Sequence, residues 1–264
     1  MAEKRFATES EELFADYLER VGYAFEYEPS AREGERNPDF SVDTPSGVVV
    51  CEVTDLHWFV PPREGSRVGA AGWLDSYGAI RRKLQDKHKQ GRHLKGRQPY
   101  VVVLRFVPSH PASQLIVPGA MYGDVAISIP IDPQGGPPPD VPARNVFTSG
   151  GRLQPERLTT ISAVAVLEVF NPTKAAVERR IDELTAADAT FEEAYSVAEA
   201  ELAKPDFDEN ARVGRLDGYH NIYAADPRLP RGTFAGRTDR EIDLDGSVYT
   251  EVYRGDRFDI DVPR

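Results

Sequence analysis

The 264-residue chain has a single cysteine, Cys51, which excludes an internal disulfide and a cysteine-rich zinc cluster. It lacks long hydrophobic runs. The longest, such as Tyr100 to Val107, are of strand length, so no membrane-spanning helix is expected. The first residues, MAEKRFATESEELF, contain no apolar signal region. Together these absences point to a reducing cytoplasm and to no membrane partner. Positive charge is also in short supply, with 32 Lys and Arg against 43 Asp and Glu and a net charge of −11. That excludes a protein that coats nucleic acid through its total charge. HExxH, GxSxG and Cys/His clusters are missing. Gly65, Gly69 and Gly72 do not form a dinucleotide fingerprint, and the Gly91 to Gly96 stretch has neither the lysine nor the hydroxyl of a phosphate-binding loop.

What is present fits a globular domain able to bury a core, at 40% hydrophobic and 28% charged residues, and the length suits one domain over 1–264. Thr8 and Glu11 have capping-box spacing, and Leu13, Phe14, Tyr17, Leu18 and Val21 then form one helical face ended by Gly22. Tyr23 to Glu28 reads as a strand. Asp39 to Asp43 and Val48 to Thr54 read as a hairpin joined by a Thr-Pro-Ser-Gly turn. A loop over 61–72 precedes a helix from Ser76 to Gln90. Pro99 to Val107 and Ser162 to Phe170 are continuous apolar strands of the kind buried on both faces, with a further strand over Val125 to Ile129. The stretch 130–142 holds six prolines and reads as a loop or spacer. Asn171 and Pro172 open one helix carrying Val177, Ile181 and Leu184. Thr190 and Glu193 cap another that ends before Pro205. Gly218 to Asp239 reads as an irregular loop, with Tyr219, His220, Tyr223, Arg231 and Phe234 either packed across the sheet or offered as a stacking surface. A hairpin around Asp245-Gly246 closes the chain. Helices alternating with strands in this order predict an α/β sandwich with a mixed sheet.

Three acidic residues carry the chemical interest. Asp39 stands at the start of one hairpin strand and Glu52 lies deep in its partner, in Val-Val-Val-Cys-Glu-Val-Thr. An antiparallel hairpin can bring them together at one end of the sheet. Two close carboxylates repel, and a divalent cation such as Mg²⁺ or Mn²⁺ removes that cost while activating water and stabilising charge on a phosphodiester. Glu52 could instead point to solvent from an edge strand. Glu11 lies on the first helix and can join the pair or simply cap its own helix.

The helix after the hairpin supplies ammonium groups, with Lys83, Lys87 and Gln90 on a stripe beside the inward Ile80 and Leu84. Eight Lys or Arg fall between Arg81 and Arg97 (Arg81, Arg82, Lys83, Lys87, Lys89, Arg92, Lys95, Arg97) against Asp86 alone, a local charge of +7 that leaves −18 for the rest. His88 and His93 add to this patch below neutral pH. Such a patch can follow a phosphate backbone or can be a solvated helix face.

The order Glu11, Pro38-Asp39, Glu52-Val53-Thr54 resembles the PD-(D/E)XK nuclease superfamily, which includes many restriction and DNA-repair nucleases. The resemblance covers about residues 8–107 and, more distantly, the strand over 162–170, which gives a nuclease-like core over about 8–170 and leaves 171–264 as a helical and hairpin extension. It implies a restriction endonuclease-like fold, a mixed four- to five-stranded sheet flanked by helices. It further implies that Asp39, Glu52 and the Val53 carbonyl hold the metal, with Glu11 joining or orienting it, and that DNA is the substrate. The chain departs from the pattern at Thr54, where the superfamily has lysine. Some members carry that lysine on the following helix, which would give its role to Lys83 or Lys87. Arg81, Arg82, Lys89, Gln90, Arg92, Lys95 and Arg97 would then hold DNA. The rival expectations are an inactive nuclease-fold module that binds nucleic acid or a protein partner, and an unrelated α/β protein with scattered acids. A homodimer is left open.

Overall fold

The structure is a computed structural model. It describes residues 6–29, 37–57, 59–60, 72–73, 76–107, 113–128, 144–150, 157–171, 190–204, 211–234, 240–245 and 248–254, together with 174, 177, 180, 181, 183 and 184. Helix α1 (Glu9–Val21) begins with the expected capping box. The Thr8 side chain accepts from the Glu11 N–H, and the Glu11 carboxylate accepts from the Thr8 N–H. Gly22 ends the helix at φ 87°, a left-handed conformation that favours glycine. The other helices are α2 (Ser76–Gln90), α3 (Ser113–Tyr122) and α4 (Phe191–Leu202), and the described residues between 174 and 184 are also helical.

The strands are β1 (Ala24–Tyr27), β2 (Phe40–Thr44), β3 (Gly47–His57), β4 (Phe59–Val60), β5 (Gly72–Trp73), β6 (Tyr100–Val107), β7 (Gly123–Ser128), β8 (Arg144–Gly150), β9 (Ala163–Phe170), β10 (Val213–His220), β11 (Arg240–Asp245) and β12 (Val248–Arg254). β4 and β5 form a separate pair. The rest make one mixed sheet in the order β1-β2-β3-β6-β9-β10-β11-β12-β8-β7. The six strands from β1 to β10 form the part flanked by helices, which is broader than the expected four to five strands. β1, β2 and β3 pair antiparallel, β3, β6 and β9 pair parallel, and β10 returns antiparallel to β9.

Period-two alternation divides the sheet into two cores. On one face Phe14, Tyr17 and Leu18 of α1 cover Cys51, Val53, Val101, Val103 and Ala165. On the other, Ile80 and Leu84 of α2 and Val117 and Met121 of α3 cover Val50, Val102, Leu104, Val164 and Val166. β6 is therefore buried on both faces, as its unbroken apolar run requires. The N-terminus of α1 is tied to the sheet by Arg105. This arginine is buried on β6 and pairs with Glu9 at 3.0 Å, an interaction that holds the Glu9 carboxyl below its usual range.

Three elements differ from the sequence expectation. The segment β10 replaces the first residues of the expected irregular stretch, because pairing with β9 places Tyr219 and Asp217 in the interior. Tyr219 and His220 thus belong to this strand rather than to a stacking loop. Helix α3 forms despite Pro118, and β8 pairs β7. Of the expected loop over 61–72, Gly72 belongs to β5 and pairs with β4, and the remaining residues lie outside the described ones, as does the stretch 130–142.

The turn after α2 (residues 91–94) is pressed onto β6. A Cβ added at Gly91 would meet the buried Tyr100 ring at 2.5 Å. Gly91→Ala should therefore destabilise the fold by about 1–3 kcal/mol, the usual cost of overpacking. Urea unfolding checks this, and an unchanged midpoint would show that the contact is slack.

Candidate active site

β2 and β3 are joined by a tight turn, so their register is set. Phe40 faces Cys51, and Asp39, one residue before β2 begins, lies against Glu52. β3 runs on past the end of β2, which leaves the Val53 N–H without a strand partner on that side. Asp39 supplies one: its Oδ2 accepts from Val53 N–H at 2.7 Å, while the Asp39 N–H donates to Glu52 Oε2 at 3.1 Å. The N–H and C=O of one strand residue point to the same edge, so the Val53 carbonyl also lies on the Asp39 side. The two acids thus converge. Burial and the Glu52 charge raise the Asp39 pKa to about 7, with the Val53 N–H and Lys87 acting in the opposite direction.

The remaining oxygen of Glu52 meets α2. Lys87 Nζ donates to Glu52 Oε1 at 2.9 Å, with both side chains nearly buried (11% and 3% exposed). The spacing Ile80, Leu84, Lys87, Gly91 follows one helical stripe, so Lys87 continues the face that packs on the sheet. Lys83, one turn earlier, makes no polar contact among the described residues. Thr54 is buried on the same face of β3 as Glu52. Tyr100 OH donates to the Lys87 carbonyl at 3.2 Å and fixes this end of the helix.

Glu11 is engaged as a cap. Its Oε2 accepts from the N–H groups of Ala7 and Thr8 and from Tyr27 OH, and its charge reaches Asp39 only as a contribution to the raised pKa. The Tyr27 hydroxyl, pushed up to about 12 chiefly by burial, keeps its proton for that bond.

A small open cleft adjoins the pair, lined in part by Asn37, Pro38, Glu52, Gln90, His93 and Tyr100. The basic residues divide into two sets. Arg81 is engaged inside the fold: it donates to the carbonyls of Gly119 and Ala120 at the end of α3 and lies over the Tyr77 ring. Lys89 is exposed beside Asp86 at 3.5 Å. Arg82, Arg92, Lys95 and Arg97 are exposed, the last three on the segment that walls the cleft. Sequence reasoning gave His93 only a share in the basic patch. Its place three residues beyond a helix-terminal Gln90 was the available signal for a defined hydrogen bond.

The donor set of Asp39, Glu52 and the Val53 carbonyl is all oxygen, which suits a hard divalent cation completed by water or phosphate oxygens. Among the described residues no group of three or more His, Cys, Asp or Glu is placed to hold an ion, so a closed zinc-type cage is not formed there. No helix among the described residues is long and apolar enough to cross a membrane. Comparison of the chain with known protein families, with curated proteins and with solved structures finds no match.

Folded Asp39 holds its proton up to about pH 7, whereas the unfolded chain releases it near pH 4, so folding takes up a proton between those values. The metal-free protein should lose stability as pH rises through that window, and Asp39→Asn should flatten the loss. Melting temperatures across the range test it, and parallel profiles would refute proton retention on Asp39. Lys87→Ala leaves Glu52 buried without its cation and should cost about 3–5 kcal/mol. Glu52→Gln combined with Lys87→Met should recover most of that in urea titrations, and additive losses would mean the pair is not coupled.

Proposed function

We propose that the protein is a divalent-cation-dependent phosphodiesterase acting on DNA, a divergent protein of the PD-(D/E)XK type in which the lysine has moved from position 54 to α2. The observation that carries this reading is the 2.9 Å contact from Lys87 to Glu52, beside an Asp39 whose proton is retained to about pH 7. Asp39, Glu52 and the Val53 carbonyl would hold Mg²⁺ or Mn²⁺. The ion would supply a Lewis acid for the phosphate and a more acidic water. Lys87 orients Glu52 and offsets charge that develops on phosphorus. Arg92, Lys95 and Arg97, around the cleft, draw in the phosphate backbone, while the acidic remainder of the molecule limits nonspecific binding.

One observation favours the second reading, an inactive module that binds nucleic acid or a protein partner. With Asp39 protonated, the Glu52–Lys87 pair is balanced in charge without any ion.

Supercoiled plasmid incubated with Mg²⁺ or Mn²⁺ separates the two. Cleavage by the wild type, reduced about 100-fold or more in Glu52→Gln, supports the enzyme. Binding without cleavage in either metal supports the module. Replacing Lys95 and Arg97 with alanine should lower the salt dependence of DNA binding by about 0.9 in slope for each phosphate that is no longer neutralised.

A further inference from the structure

Glu52 is held by two partners of different kinds. The Asp39 N–H, 3.1 Å from Oε2, belongs to the backbone and is fixed by the register of the hairpin. The Lys87 ammonium, 2.9 Å from Oε1, ends a flexible aliphatic stem. The base of that stem is anchored through the Lys87 carbonyl, which accepts from Tyr100 OH. Gly91, one turn beyond Lys87 on the same helical stripe, lines the cleft together with Glu52 and Gln90. The ammonium therefore stands where the cleft meets Glu52, and rotation of its stem would carry it toward the cleft. Both side chains of the pair are nearly buried, so water screens their charges poorly. A divalent cation brought to Glu52 would come close to the ammonium under the same weak screening, and the two positive charges would compete for one carboxylate.

We propose that Lys87 is an exchangeable internal cation, which occupies Glu52 Oε1 until a divalent ion is held by Asp39, Glu52 and the Val53 carbonyl, and is then released toward the cleft, where it meets the incoming phosphate. The inference rests on the phosphodiesterase reading above and adds to it that ion binding arms the lysine. The Asp39 N–H keeps Glu52 aligned throughout, because a backbone donor cannot swing away as an ammonium can. Lys87 thus sets the affinity of the site for its ion as well as the charge presented to the substrate.

Ca²⁺ alone tests this without turnover. The rate at which acetic anhydride labels each lysine of the wild type, read by mass spectrometry, should be low at Lys87 and should rise severalfold when Ca²⁺ is added, while the exposed Lys89 stays constant. In calorimetry Lys87→Met should bind Ca²⁺ about 10-fold more tightly than the wild type, because the competing charge is gone. Its melting temperature should also gain more from Ca²⁺ than that of the wild type, since the ion then supplies the charge that Glu52 has lost. Glu52→Gln should abolish the change in labelling. Should Lys87→Met fail to fold, the labelling of the wild type decides alone. Glu52-dependent Ca²⁺ binding with unchanged labelling of Lys87, or weaker Ca²⁺ binding in Lys87→Met, would overturn the exchange and leave the phosphodiesterase reading standing. Absence of any Glu52-dependent binding of Ca²⁺ or Mg²⁺ would overturn both. A wild type that releases Lys87 on ion binding but never cuts plasmid would reject the phosphodiesterase reading alone.

Discussion

A carboxylate on an interior strand and an ammonium on the packed stripe of a helix are each costly to remove from water, and they are tolerated here because each is the other's partner. Glu52 occupies a β3 position between Val50 and Thr54 on the face that α2 covers, and Lys87 lies on the stripe that begins with Ile80 and Leu84. The contact therefore ties the end of α2 to the centre of the sheet. It sets where the following turn lies, and with it Gln90, Gly91 and His93 along the cleft wall.

The second constraint is the mismatch in length between β2 and β3. β3 has 11 residues against five in β2, so its backbone groups beyond Cys51 must find partners other than β2. Asp39 provides one at Val53, and this places a carboxylate next to Glu52. The raised Asp39 pKa follows from the same arrangement: a proton is retained because two acids have been drawn together away from water. Structural need and chemical potential share the same atoms, as is common where strain or charge is concentrated at a working site.

The basic segment shows why a charge count on the sequence overstates a surface. Arg81 belongs to the run by position, yet its guanidinium satisfies the last carbonyls of α3, whose lone pairs would otherwise lack partners. Arg82 and Lys89 are exposed on α2, and the exposed charges at Arg92, Lys95 and Arg97 continue along the turn beside the cleft. Glu11 is likewise committed to structure. Its carboxylate closes the capping box and takes the Tyr27 hydroxyl, which leaves it to act on Asp39 through space.

Local chemistry was legible in the residues themselves. The capping box of Thr8 and Glu11, the apolar run of β6, the hairpin bearing Asp39 and Glu52, and the span of α2 all rest on contacts between near neighbours or on a period of two or 3.6. Tertiary structure decided what depends on partners far along the chain. Pairing with β9 made a strand of 213–220, where glycines and polar residues gave no alternating pattern. Docking of α2 on β3 selected Lys87 over Lys83, since one helical turn separates an ammonium that reaches Glu52 from one that does not. A pattern along one chain reports which face a residue occupies, but the distance between two faces is set only when the elements bearing them have packed.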